Sequence, residues 1–361
     1  VGARQRVEIL KVLYRGARVI ILDEPTAVLV PQEVDELFGN LRGLKAEGLA
    51  VIFISHKLDE VLSVADDITV IRRGTTVATV EPSATTSREL AELMVGSELP
   101  TPAKEASTVT DRVTLHVEDL TLPGESRPLL DGVSFRIHAG EVLGIAGVEG
   151  NGQAELVEAI MGMRPGATGG VRLAGRDLDK DSTRQRREAG IGYVPEDRHR
   201  HGLLLDSPLW ENRVLGHQTR KPWSRRGLVN RSGARTDTQR IVKAYDVRTP
   251  GVDTLARALS GGNQQKLIVG REMSGDPILL IAAHPTRGVD VGAQAAIWDH
   301  IKTARREGLA VLLISADLDE LIGLSDRIEV ILRGRMVGSF DPGEVTPQQL
   351  GSAMTGAGGA A

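Results

Sequence analysis

The chain has 361 residues, 41% of them apolar and 25% charged, which is enough for two or so cored domains. Forty-four Lys and Arg against 48 Asp and Glu leave a net charge of −4, so no global positive field invites nucleic acid and none is expected as a partner. With no cysteine there is no disulfide framework, thiolate-bound zinc or thiol nucleophile, and the apolar runs, such as Val19 to Leu22 and Ala50 to Ile54, are far shorter than the ~20 residues of a membrane helix.

In chain order, Arg18 to Asp23 is a continuous apolar run suited to a strand buried on both faces. Pro31 can open a helix in which Val34, Leu37, Phe38, Leu41 and Leu44 recur at helical spacing, a stripe for packing. Ala50 to Ser55 predicts a second buried strand, and Ile68 to Ile71 with Thr76 to Val80 a hairpin about Arg73 and Gly74. After a Pro-, Thr- and charge-rich stretch come strands at Val113 to Val117, Val133 to Ile137 and Glu141 to Ala146. The last of these enters a glycine-rich turn before a helical run from Glu155 to Met161. Strands alternating with helices predict an α/β fold with a largely parallel sheet.

The chain also matches itself at an offset of 260 residues: Pro25-Thr26 falls on Pro285-Thr286, Ile54-Ser55 on Ile314-Ser315, Leu58-Asp59-Glu60 on Leu318-Asp319-Glu320, and Gly74 on Gly334. Residues 1–97 therefore read as the C-terminal part of a domain whose complete copy occupies 113–356, with 98–112 as linker and 357–361 as tail. Projecting the second copy back places about 150 residues of the first copy upstream of Val1.

Three stretches carry chemistry. Gly147, Gly150, Asn151 and Gly152 lie between a strand and a helix, the setting of a phosphate-cradling loop, although Gln153 and Ala154 stand where a Lys and a Ser or Thr would reach phosphate and Mg²⁺. A tight turn is the alternative. Asp23 and Glu24 end an apolar strand, which suits Asp23 to hold Mg²⁺ through water and Glu24 to act as base on an attacking water, while a capping pair is the plainer possibility. Ser55 and His56 end the next strand. At the matching places the second copy has Ala283, His284 and Ala316, so the two copies of one fold differ in the polar positions that folding does not require. Leu259-Ser260-Gly261-Gly262-Asn263-Gln264-Gln265-Lys266, ahead of a helix, offers a hydroxyl and free amides to phosphate, and Gly2 belongs to its partner remnant at the chain start.

Together these residues resemble ATP-binding cassette proteins: Leu259 to Lys266 is similar to their signature motif, Ile21 to Thr26 to their Walker B strand, and Ser55-His56 to their switch histidine. The resemblance implies two tandem P-loop NTPase domains of α/β type with helical subdomains, the first incomplete. With Tyr193 to Arg198 and Pro285 to Gly292 it extends to the energising subunits of bacterial importers for simple sugars and nucleosides, the acid-free second Walker B favouring the nucleoside branch. It further implies ATP and Mg²⁺ as cofactors, membrane permease subunits and a separate solute-binding protein as partners, and a peripheral place on the cytoplasmic membrane face. By the family's sandwich arrangement, one site joins Asp23, Glu24 and His56 to Ser260, Gly261, Gly262 and Asn263, with Asp290 a further candidate, and is competent. The other joins Gly147 to Ala154 and Glu196 to Gly2 and is hydrolytically dead. In this reading Glu196 is the counterpart of the Gln-loop residue, an ion pair with Arg198 being the alternative, and a helical stretch from Leu203 to Leu209 touches the permease. His199 to His201 reads as a solvated basic turn and Arg220 to Arg226 as an exposed loop. A soluble cassette pair acting on ribosomes or DNA, or a non-hydrolysing nucleotide-binding fragment, are the competing readings.

Overall fold

In the computed structural model the residues described are 11, 16–26, 31–55, 57–72, 74–95, 107–225 and 228–356. The chain divides near residue 100 into two compact units. Gly2 and His56 lie outside the described residues, as does the partner remnant of the signature-like motif.

In the first unit, β1 (Val19–Asp23) and β2 (Ala50–Ile54) pair in parallel, Val19 opposite Ala50 and Asp23 opposite Ile54. The helix α1 (Pro31–Ala46) connects them and buries Leu37, Phe38 and Leu41, the stripe its spacing predicts. Beyond a short helix α2 (Leu58–Val64) come the hairpin β3 (Ile68–Arg72) and β4 (Thr75–Val80) and the helix α3 (Ser87–Val95). Val61, Ile68, Val70 and Leu90 form their shared apolar centre.

The second unit holds two large sheets and one small antiparallel pair, β11 (Ser224–Arg225) with β12 (Leu228–Val229). Of the large sheets, an antiparallel one comprises β5 (Val113–Leu122), β6 (Leu130–His138), β8 (Thr168–Leu173) and β9 (Arg176–Asp177). The other has six strands in the order β10 (Ile191–Val194), β13 (Leu279–Ala283), β14 (Ala310–Ile314), β7 (Val142–Ala146), β15 (Arg327–Leu332) and β16 (Arg335–Phe340). All its neighbours run parallel except the last pair. The central strands are apolar throughout because both faces are covered: Leu143, Ile145, Leu279, Ile281, Leu312 and Ile314 share one core with Leu156 and Ile160. Each such side chain stabilises the unit by about 2 kcal/mol.

The sequence repeat is a structural one. Adding 260 to the register of β1 and β2 gives that of β13 and β14, and the bulge between Val70 and Ile71 recurs between Val330 and Ile331. Thr26 Oγ1 donates to Glu60 Oε2 at 2.5 Å, as Thr286 Oγ1 does to Glu320 Oε1 at 2.8 Å. What differs is the cover: β1 and β2, expected as buried strands, leave Ile21 64% and Ile52 49% exposed, where Ile281 and Leu312 lie under helices and are fully buried.

A helical subdomain inserts between β10 and β13. Its helices α6 (Leu209–Val214) and α7 (Arg231–Ala244) pack Trp210, Val214, Trp223, Ala234 and Val252 together. The expected helix over Leu203 to Leu209 is not formed; helix begins at Leu209. Pro208 disfavours a helix running through Ser207. Asn212 holds the Leu204 backbone instead: its Oδ1 accepts from Leu204 N at 2.8 Å and its Nδ2 donates to Leu204 O at 2.9 Å, giving that backbone its partners without a helical turn. The loop from Arg220 is not simply exposed either. Trp223 is buried, donates through Nε1 to Asp237 Oδ2 at 2.9 Å, and carries the Arg213 guanidinium 4.2 Å above its ring.

His217 lies against that ring, 4.8 Å between centroids. Burial pushes its imidazole from 6.5 down to about 4, with the Arg213, Arg187 and Arg271 charges acting the same way and Glu272 opposing. The unfolded chain therefore takes up this proton at a higher pH than the folded one. Stability from the neutral ring is full above 6.5 and is lost as pH falls toward 4, by up to about 3 kcal/mol. Urea unfolding at pH 7 and pH 4 is expected to show that loss in the native chain and a loss smaller by this amount in His217→Gln.

Candidate nucleotide site

The central strand β7 is buried along its length and delivers the chain to a turn at 147–152. Gly150 (φ 88°) and Gly152 (φ 114°) take left-handed backbone, after which the helix α4 (Gln153–Ile160) begins. At Gly147 a Cβ would sit 2.4 Å from Gln153 Nε2 and 2.9 Å from Ile331, so the turn closes only with glycine there. Asn151 serves the turn itself: its Oδ1 accepts from Arg333 N at 3.2 Å and its Nδ2 donates to Met354 O at 3.3 Å. Gln153 Nε2 donates to Val148 O at 3.1 Å, and its Oε1 has no hydrogen-bond partner. The amides of the turn and of the helix start suit an anion, but the side chains bring it no cation.

Beside the turn is a cavity of about 620 Å³ lined by Gln153, Ala154, Glu196, Ala283, His284 and Arg287 among others. A Mg²⁺ ion requires oxygen ligands. Ala154 and Ala283 have none in their side chains and His284 offers nitrogen, so the positions matching Asp23 and Glu24 bring no carboxylate; the carboxylates that line this cavity are Glu149, Glu158, Glu196 and Asp197. Burial holds the His284 imidazole below its ordinary pKa, with Arg287 adding to that and Glu196 and Glu149 opposing. In the first unit the carboxylate of Asp23, exposed at the end of β1, is a donor of the right kind.

Glu24 and His284 occupy one backbone position. Both have φ of 47°, unusual for residues with side chains, and each donates its N–H to the next strand, Glu24 to Ile54 O at 2.9 Å and His284 to Ile314 O at 2.7 Å. This backbone hydrogen bond across strand ends, with the shared φ, sends the Cα–Cβ bond the same way in both, whether it carries a carboxylate or an imidazole.

Glu196 pairs with Arg287, not with its neighbour Arg198. Arg198 instead donates to Arg287 O at 2.8 Å and Gly288 O at 3.3 Å. His199 is likewise not simply solvated, since its Nε2 lies 2.9 Å from Gln264 Oε1, within a π-helical turn over Arg198–Gly202. Ser260 caps the helix α8 (Gly261–Met273) by position, and its Oγ accepts from Asn263 Nδ2 at 2.8 Å; Asn263 Oδ1 accepts from Arg248 N at 2.8 Å. The residues that sequence reasoning missed are those tying α8 down, Arg187, Arg271 and Glu272. Arg187 sits in the short helix α5 (Thr183–Glu188) and the other two in α8 itself, with no periodic or spacing signal of their own.

A parallel sheet with a glycine turn after its central strand and an inserted helical subdomain defines a P-loop nucleotide-binding cassette. Residues 130–287 match the family described as ABC transporter. The chain is 46% identical to the nucleoside import ATP-binding protein NupA of Lactococcus lactis, the match covering 99% of this chain and 71% of that protein. It is 45% identical to the guanosine import ATP-binding protein NupO of Bacillus subtilis, over 99% and 70%, and 42% identical to a ribose import ATP-binding protein, RbsA 2, of Streptomyces coelicolor, over 95% and 65%. A nucleotide-free ATP-binding cassette from an ABC transporter, a solved structure, shares its fold at a TM-score of 0.56 and 20% identity, covering 67% of this chain and 95% of that one. The chain belongs to the ABC transporter family and is an ATPase of that family. No helix among the described residues is long and apolar enough to cross a membrane.

Proposed function

We propose that the chain is the greater part of the ATP-binding subunit of an importer for nucleosides or simple sugars, nucleosides being the first reading. In this proposal the subunit lies peripherally on the cytoplasmic face of the membrane, against permease subunits served by a separate solute-binding protein. It has two tandem cassettes, 1–97 being the C-terminal part of the first and 113–356 the second. The observation that carries the proposal is the pair Glu24 and His284: one backbone conformation, one hydrogen bond, and two chemistries. The exposed Ile21 face, whose counterpart in the second unit is buried, supports a first cassette with more chain over that sheet.

At the competent site Asp23 would hold Mg²⁺ through water, and the ion would offset phosphate charge. Glu24 takes the proton of the attacking water and His56 holds the terminal phosphate oxygen, while Ser260, Gly261, Gly262 and Asn263 offer hydroxyl and amide donors to nucleotide phosphate. The degenerate site, formed by Gly147, Gly150, Asn151, Gly152, Gln153, Ala154, Glu196 and Gly2, has Ala283 and His284 where the competent site has Asp23 and Glu24, and in this proposal it does not turn over. The substrate test is uptake in cells deleted for the full-length gene. Loss of labelled nucleoside uptake with ribose uptake intact is expected, and the reverse pattern rejects the nucleoside reading. Co-sedimentation with ribosomes or DNA, with both uptakes intact, rejects the importer.

A further inference from the structure

The helix that begins at Gly261 is fastened to the Glu196 segment at both ends. At its start, Arg198 spans from that segment to the carbonyls of Arg287 and Gly288, at 2.8 and 3.3 Å. Gly261 lies flat on the same guanidinium: a Cβ there would come within 2.8 Å of Arg198 Nη2 and 3.2 Å of Gly288 O. One turn further on, Gln264 joins His199 Nε2 at 2.9 Å and Ala256 O at 3.1 Å. At the far end, Glu272 Oε2 accepts from Tyr193 N at 3.1 Å and from Arg187 at 2.7 Å, and Arg271 donates to Gly202 O at 2.8 Å. Residues 193–202 and the helix thus form one body, and the arginine is the piece that touches the glycine of the Ser260 loop.

We propose that Arg198 is a positioning residue for turnover: by bridging the Glu196 segment, the 287–288 carbonyls and Gly261, it sets where the Ser260–Gly262 donors stand, so that a displacement of the 193–202 segment reaches them. This rests on the reading of Ser260–Gly262 as phosphate donors for the competent site. A planar five-donor group suits the task, since Lys supplies only a point charge and cannot hold two carbonyls in one plane. Donors misplaced by about 1 Å can cost on the order of 10²-fold in rate while ground-state binding stays.

The test is a double-mutant cycle in the full-length protein, with kcat and KM for ATP as readouts. Arg198→Ala is expected to lower kcat at least about ten-fold with KM little changed, and Arg198→Lys to recover part of the loss. Gly261→Ala is expected to lower kcat through the methyl that meets the guanidinium, and Arg198→Ala/Gly261→Ala to be no slower than Gly261→Ala alone. An unchanged kcat in Arg198→Ala overturns the proposal, as do losses that multiply in the double variant, the pattern of two unrelated structural lesions. Ser260→Arg fills the place given to phosphate; full turnover in that variant overturns the underlying reading instead.

Discussion

Glu24→Gln in the full-length protein is expected to lower ATP turnover by about 10²-fold or more while nucleotide binding persists. The change is isosteric and keeps the left-handed backbone and the bond from residue 24 N to Ile54 O, so the side chain stays aimed as before. Only the proton-accepting ability is lost. Turnover and equilibrium ATP binding, measured on one preparation, check it; near-native turnover refutes the assignment of the base. Gln153→Ala is the companion. Its amide is already spent on Val148 O, so the variant should change turnover far less than Glu24→Gln. A larger loss at Gln153 would exchange the two sites.

The second large effect is on stability. Glu272 is fully buried, with one oxygen on Arg271 Nε at 2.7 Å and the other on Arg187 and Tyr193 N. Burial alone would raise its pKa, but Arg271 and Arg187 outweigh it and hold the carboxyl at about 2. Removing it strands two guanidinium groups in a low-dielectric site, so Glu272→Ala is expected to cost about 3–5 kcal/mol. Thermal unfolding should read this as a midpoint lowered by about 10 °C. The pH dependence has a definite sign. A carboxyl depressed in the folded state lends stability above its unfolded pKa, near 4.3, and that share is lost as pH falls toward 2. Glu272→Gln should flatten the wild-type loss over that window, and an unaltered acid profile would refute the pair.

Much of this was legible in the residues. The repeat offset gave the register of β13 and β14 from β1 and β2, but burial did not follow from the apolar run, since Ile281 is covered and Ile21 is not. The turn at 147–152 and the Ser260 helix start fell where their glycines implied. What stayed hidden depends on partners far along the chain. Glu196 chose Arg287, 91 residues away, over the adjacent Arg198. Trp223 sits in a run of basic residues that reads as surface, yet Asp237 and Arg213 satisfy its N–H and its ring face. Leu203 to Leu209 opens on three leucines, but Pro208 disfavours a helix running through Ser207, and Asn212 holds the Leu204 backbone instead. The first two of these choices are made by tertiary hydrogen bonding, to which local pattern is blind.

The φ of 47° that Glu24 and His284 share has one more consequence. Holding a branched or bulky side chain there costs on the order of 1 kcal/mol, a cost set by the main chain and indifferent to what the residue does. The corner at His284 is therefore built to the same main-chain geometry as the corner at Glu24, and exchanging the two side chains would need no loop to be rebuilt.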